Sequence, residues 1–226
     1  FLVVSPMLIR YSDEARMYTL AAFIILIASH VLVKATELNK RRYWILYGIL
    51  VSLGMWAHYF TALAWLAHWA WRAFVIRKST TKPKLFWRKF FTKNWIIAHV
   101  IAVGLFLPWL PFMAIQLGGI QGSGFWIPPI SVDSFPNYLT NLFYYLEHGQ
   151  AVGWLALLLG VVLAGLTYLA VRTYRGFNKT DKYHYLLIVA LAFAPVLILF
   201  IGSLPPLKSS FVERYLLPAI IGFAIF

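Results

Sequence analysis

Two carboxylates beside a guanidinium, placed where an apolar helix begins, can bind a phosphate, a sugar hydroxyl or a metal ion. That combination stands in the string from Ser5 to Tyr18, where Asp13, Glu14 and Arg16 precede Tyr18. The same residues also suit a plain helix start, with the carboxylates at the positive end of the helix dipole and Arg16 reaching back to water. A second group is His58-Tyr59-Phe60, which interrupts a long apolar run. Its imidazole is a metal ligand or a proton carrier; the alternative is an interfacial ring among aromatic neighbours. A third group is Glu213-Arg214-Tyr215, either a local ion pair or an arginine offered to a phosphate. His30, His68 and His99 fall inside apolar segments and are expected to pack or hydrogen-bond between helices. Cysteine is absent, which excludes thiolate chemistry and disulfides.

The elements that must position these groups are apolar helices. Of 226 residues, 62% are hydrophobic and 12% charged, and the mean hydropathy is +0.75. A soluble domain carries about a quarter of its residues as Asp, Glu, Lys or Arg, so lipid is the expected solvent. The net charge of +13 would suit nucleic acid, but the basic residues sit in short connections between apolar runs. Orientation in the membrane and contact with anionic lipid explain that distribution better, and no nucleic acid is expected as a partner. The expected spans are 17–33, 43–57, 59–76, 95–113, 151–171, 184–204 and 215–226, with a loop over 114–150. Phe1 to Val4 and the run up to Phe226 read as cut spans, so the chain is expected to be an interior fragment. The fold class expected is all-α, a polytopic bundle of about seven spans forming one domain over 1–226.

Charge decides how the long run 43–76 is folded. As a single helix it would reach about 51 Å, too long for a core of about 30 Å. Both flanks are basic, with Lys34, Lys40, Arg41 and Arg42 before it and Arg72 to Lys93 closing or following it. Both flanks should therefore be cytoplasmic, and the chain should turn at His58. The same alternation leaves only Arg10, Arg16, Lys208 and Arg214 outside, with Asp13, Glu14, His58, Asp133, Glu147, His148 and Glu213. The loop 114–150 opens on the glycine-rich run 118–124, read as flexible. It continues with Phe135, Tyr138, Leu139, Leu142, Phe143 and Leu146 at helical spacing, an expected interfacial helix over 134–148.

Ser5-Pro6, Tyr11-Ser12, Glu14-Ala15-Arg16-Met17-Tyr18, the His58-Tyr59-Phe60 turn and Arg214-Tyr215-Leu216-Leu217-Pro218 together resemble a known family. It is that of the bacterial dolichyl-phosphate-mannose-protein mannosyltransferase-like proteins, glycosyltransferases of the GT-C fold related to the lipid A aminoarabinose transferase. The resemblance implies transfer of a sugar from a polyprenyl-phosphate carrier to a lipid, glycan or protein acceptor, on the extracytoplasmic face of a bacterial plasma membrane. It implies an acidic general base in a loop upstream of Phe1, with Asp13, Glu14 and His58 contributing to the polar site. Arg16, Tyr18, Tyr59, Glu213, Arg214 and Tyr215 would bind substrate. No cofactor is required, although some relatives hold a divalent metal, for which Glu14 and His58 are the candidates. The competing readings are a transporter or flippase for a lipid-linked sugar, which would place ionisable groups on broken helices, and a noncatalytic membrane subunit. Pro108, Pro111 and Pro195, expected to interrupt spans, speak for the transporter.

Overall fold

A computed structural model describes residues 17–122, 127, 130–131, 134, 153–204 and 209–225, and every regular element among them is helical. The chain divides into two compact units, one over 17–128 and the other holding the described residues beyond 129. Among the described residues, three helical stretches are long and apolar enough to cross a membrane: Tyr18–Leu38, Lys93–Gln116 and Thr180–Gly202.

The first unit contains α1 (Tyr18–Leu38), α2 (Arg41–Ala57), a 3-10 turn (Tyr59–Thr61), α3 (Ala62–Ser79), α4 (Pro83–Phe90), α5 (Lys93–Phe106), a second 3-10 turn (Leu107–Trp109) and α6 (Leu110–Gly122). Helices α1 and α2 reverse within two residues because Asn39 adopts a left-handed conformation (φ 48°), which asparagine tolerates, and its N–H caps Ala35 O at 3.0 Å. Pro83 starts α4, where its missing N–H has no helical partner to lose. The Thr92 hydroxyl caps α5 by accepting from the Trp95 N–H.

Helix α2 lies between α1 and α5. Asn39 meets Asn94 at one end, Gly48 meets the Ala98 backbone midway, and the Trp56 indole donates to Leu105 O at the other, so α2 and α5 run parallel. A side chain at position 48 would collide with the Ala98 carbonyl, and glycine is what permits the approach. Helix α3 returns antiparallel to α2. His68 on α3 meets the Tyr47 hydroxyl at 3.0 Å through Nδ1 and the Ser29 hydroxyl at 2.9 Å through Nε2. Ser29 donates its own proton to Ile25 O, so Nε2 must carry the hydrogen and Nδ1 must accept from Tyr47. Three helices are thereby joined through one fully buried ring.

The second unit contains α7 (Gly153–Gly176), α8 (Lys179–Gly202), a 3-10 turn (Glu213–Leu216) and α9 (Leu217–Ile225). The Asn178 side chain caps α8 by accepting from the Asp181 N–H. Gly222 lies against the backbone of Leu191 and Ala192, which brings α9 onto α8.

Several expectations are corrected. The loop does not start at 114, since helix continues to Gly122 through the glycines read as flexible. Interior glycine costs a helix only about 1 kcal/mol, and Ile115, Leu117 and Ile120 continue the apolar run. Helices also run past the expected ends, to Leu38, Ser79 and Gly176. Arg77, Lys78 and Arg175 occupy last turns, where a cation meets the negative end of the helix dipole. The stretch expected as a basic connection holds a helix, α4. Pro195 lies inside an unbroken α8, and Pro108 and Pro111 mark only a 3-10 turn between consecutive helices. Save for Ser134, the helix expected over 134–148 lies outside the described residues.

Candidate functional site

Every Lys and Arg of the first unit belongs to one end of its helices. They follow or close α1 and α3, open α2 and α5, or sit on α4. The opposite end is formed by the start of α1, the turn after α2, and the 3-10 turn leading into α6. There the Tyr18 and His58 rings meet in a tilted contact, 5.4 Å between ring centroids, with Tyr18 almost wholly buried at 3% exposure.

The turn fixes the His58 ring through its own backbone. His58 N–H donates to Gly54 O at 2.8 Å, closing α2. His58 O accepts from Thr61 N–H at 3.0 Å and from the Thr61 hydroxyl at 2.8 Å. Gly54 leaves room for the Trp65 ring, which packs where a Cβ would stand. The Phe60 N–H donates to His58 Nδ1 at 3.3 Å, so the proton sits on Nε2. Partial burial lowers the imidazole from its ordinary value of 6.5 to about 4, so it is neutral at pH 7. Such a ring is a hydrogen-bond donor through Nε2. Ligating a cation through Nε2 would require moving that proton to Nδ1 and losing the Phe60 bond. Among the described residues no three His, Asp or Glu side chains converge as a metal site.

Tyr59 is held differently. Its hydroxyl donates to Gln116 Oε1 at 2.9 Å and accepts from the Trp109 indole N–H. Trp109 meets Trp56 in a tilted contact at 5.0 Å and stacks on Phe112 at 5.1 Å. The Tyr59 hydroxyl thereby joins the turn after α2 to α6.

Of the expected site residues, the structure brings together Tyr18, His58 and Tyr59. Asp13, Glu14 and Arg16 lie outside the described residues. Glu213, Arg214 and Tyr215 belong to the second unit, in the 3-10 turn before α9. Within that unit they sit near the end of α8 remote from the basic α7–α8 turn: Ser210 N–H donates to Ser203 Oγ at 2.9 Å, and Phe211 packs on Phe200 at 5.7 Å. Among the histidines, His68 and His99 bond between helices as expected, whereas His30 is exposed on α1.

Trp109 and Gln116 were missed, and so was Arg72, counted only as a flanking cation. Arg72 is 6% exposed. It donates to Phe90 O at 2.9 and 3.1 Å, to Lys89 O at 2.9 Å and to the Thr92 hydroxyl at 3.3 Å. Its guanidinium also lies 4.5 Å from the Trp95 ring centroid. No family model, curated protein or solved structure matches the chain.

Proposed function

We propose that the chain is part of a membrane glycosyltransferase of the GT-C class, with about seven spans. It moves a sugar from a polyprenyl-phosphate carrier to a lipid, glycan or protein acceptor on the extracytoplasmic face of a bacterial plasma membrane. The observation that supports this reading is the division of the first unit. All its Lys and Arg gather at one end, and a neutral histidine packed against a buried tyrosine stands at the other. Under the positive-inside rule the basic end is cytoplasmic, so the His58 end faces the side where lipid-linked donors are used.

In this reading Arg16 and Arg214 hold the donor phosphate, and Asp13, Glu14 and His58 shape the polar site. Tyr18 supports the His58 ring from below. The transporter reading asks for broken helices carrying ionisable groups. The unbroken α8 and the satisfied bonds of His68 offer it no such feature.

The test is sugar transfer by the purified protein from a polyprenyl-phosphate donor, with a nucleotide sugar as the comparison. Transfer from the lipid donor alone is expected, and turnover of the nucleotide sugar without lipid carrier would refute the reading. Arg16→Ala should lower kcat/KM by roughly 10- to 150-fold, the loss of charge-assisted bonds of about 1.5–3 kcal/mol. Arg16→Lys should recover part, since it keeps the charge but not the forked geometry. Equal activity in all three proteins would remove Arg16 from the site. A noncatalytic subunit would transfer sugar from neither donor.

A further inference from the structure

An open groove runs between α3 and α5, from Phe91 near the basic end to Gly104. Its volume is about 460 Å3, and Trp69, Phe91, Trp95, His99, Val100 and Gly104 are among the residues that line it. We infer that this groove seats one acyl chain of an anionic membrane phospholipid, with the headgroup against the basic residues around Lys93. The inference rests on the chain being a membrane protein, and is independent of the transfer reaction.

The groove wall offers an occupant little to hydrogen-bond. Trp69 N–H donates to His99 Nε2 at 2.8 Å, and His99 Nδ1–H donates to Trp95 O at 2.8 Å. The imidazole and the indole therefore satisfy each other, and what they turn outward is ring surface. A sugar or a peptide would be poorly served there; a hydrocarbon would not.

Length points the same way. From Trp95 to Gly104 the helix rises about 14 Å, half of a core about 30 Å thick. That is the depth of one leaflet. Val100 is 64% exposed and Val103 61%, so the groove opens sideways, as a lipid tail would need.

Charge selects the headgroup. Lys93, Ile96, Val100 and Val103 follow one helical stripe on α5, so the apolar lining continues directly into a lysine. Arg88 and Lys89 precede Phe91, which closes the groove on that side. Clustered Lys and Arg beside an apolar seat at the membrane surface favour an anionic phospholipid over a zwitterionic one.

Gly104 supplies the test, because a Cβ built there has no heavy atom within 4 Å. A leucine at 104 would enter the groove without striking the fold. Protein purified in detergent would be offered equal phosphatidylglycerol and phosphatidylcholine, and the lipids retained counted by native mass spectrometry. Wild type is expected to prefer phosphatidylglycerol. Lys93→Gln should reduce that preference about fivefold, the effect of one lysine near a charged surface. Gly104→Leu should lose one bound lipid while keeping its thermal midpoint, and Val100→Trp, at an exposed position, should do the same if the leucine variant fails to fold. An unchanged lipid count in both variants, or equal retention of the two lipids by wild type, would overturn the seat. Displacement of the lipid by free glycerol phosphate would also overturn it, since the headgroup alone would then suffice. A protein that stays dispersed without detergent would instead overturn the membrane reading beneath it.

Discussion

The two ends of the first unit use polar residues in opposite ways. At the basic end, Arg72 is buried and its guanidinium is engaged by the carbonyls of Lys89 and Phe90, the Thr92 hydroxyl and the Trp95 ring. Its work is to fasten α4 to the bundle. At the other end there is no Lys or Arg among the described residues, and the polar groups are the neutral imidazole of His58 and the hydroxyl of Tyr59. The buried cation near α3 thus serves architecture.

The sharpest way to break this contrast is to ask which side each end faces. The chain has no native cysteine, so introduced cysteines label without background. Ser123→Cys should react with an impermeant maleimide on intact cells, and Ser79→Cys only after permeabilisation. Reaction of both on intact cells would undo the assignment of the two ends. The next largest effect is expected at Arg72. Arg72→Ala removes charge-assisted bonds and leaves the last carbonyls of α4 without their donor, at a cost of roughly 3–5 kcal/mol. It should appear as a lower thermal midpoint in detergent and as faster proteolysis over 79–93. Arg72→Lys should recover only a part.

A smaller effect is expected midway between the ends. Tyr47→Phe should cost about 1–2 kcal/mol by leaving His68 Nδ1 without its donor. Combined with His68→Phe it should cost less than the sum, since the two share one bond. Full additivity, measured by thermal unfolding, would mean that the ring does not tie α2 to α3. The smallest effect is the pH response of the His58 turn. Its folded value, about 4, lies below its ordinary value of 6.5, so the unfolded chain takes the proton first as pH falls. The contribution of this turn is therefore complete above about pH 6.5 and is lost as pH drops towards 4. His58→Gln should flatten the fall in thermal midpoint over that window, and an unchanged slope would show that another group causes it.

How much of this was legible depended on whether a residue's role is local. Apolar runs announced the helices, and two basic flanks around one overlong run announced the break at His58, because both follow from composition over a short window. Helix α4 was hidden: Lys82, Lys84, Arg88 and Lys89 read as a solvated connection, although Leu85, Phe86 and Phe90 among them give it an apolar side. The role of Arg72 was hidden for a different reason. Its partners lie at Lys89, Phe90 and Thr92, and nothing near Arg72 in sequence says that a helix end will arrive there. The tie of His68 to Tyr47 could have been read, since the two stand nearly equidistant from the turn at His58 and a hairpin must pair them. The Tyr59–Gln116 bond could not, because it required helix to continue past Met113, where the expected span ended.

The parallel contact of α2 with α5 also sets a timetable. Helix α2 has one of its two main neighbours, α1, before it leaves the ribosome, but the other is made only after α3 and α4. Until then the face carrying Gly48 is bare, and it is shaped to accept a backbone and not a side chain. A nascent chain stalled before Lys93 would present that unfilled notch to whatever assists insertion. Docking of α5 against it therefore has to wait until α3 and α4 have been made.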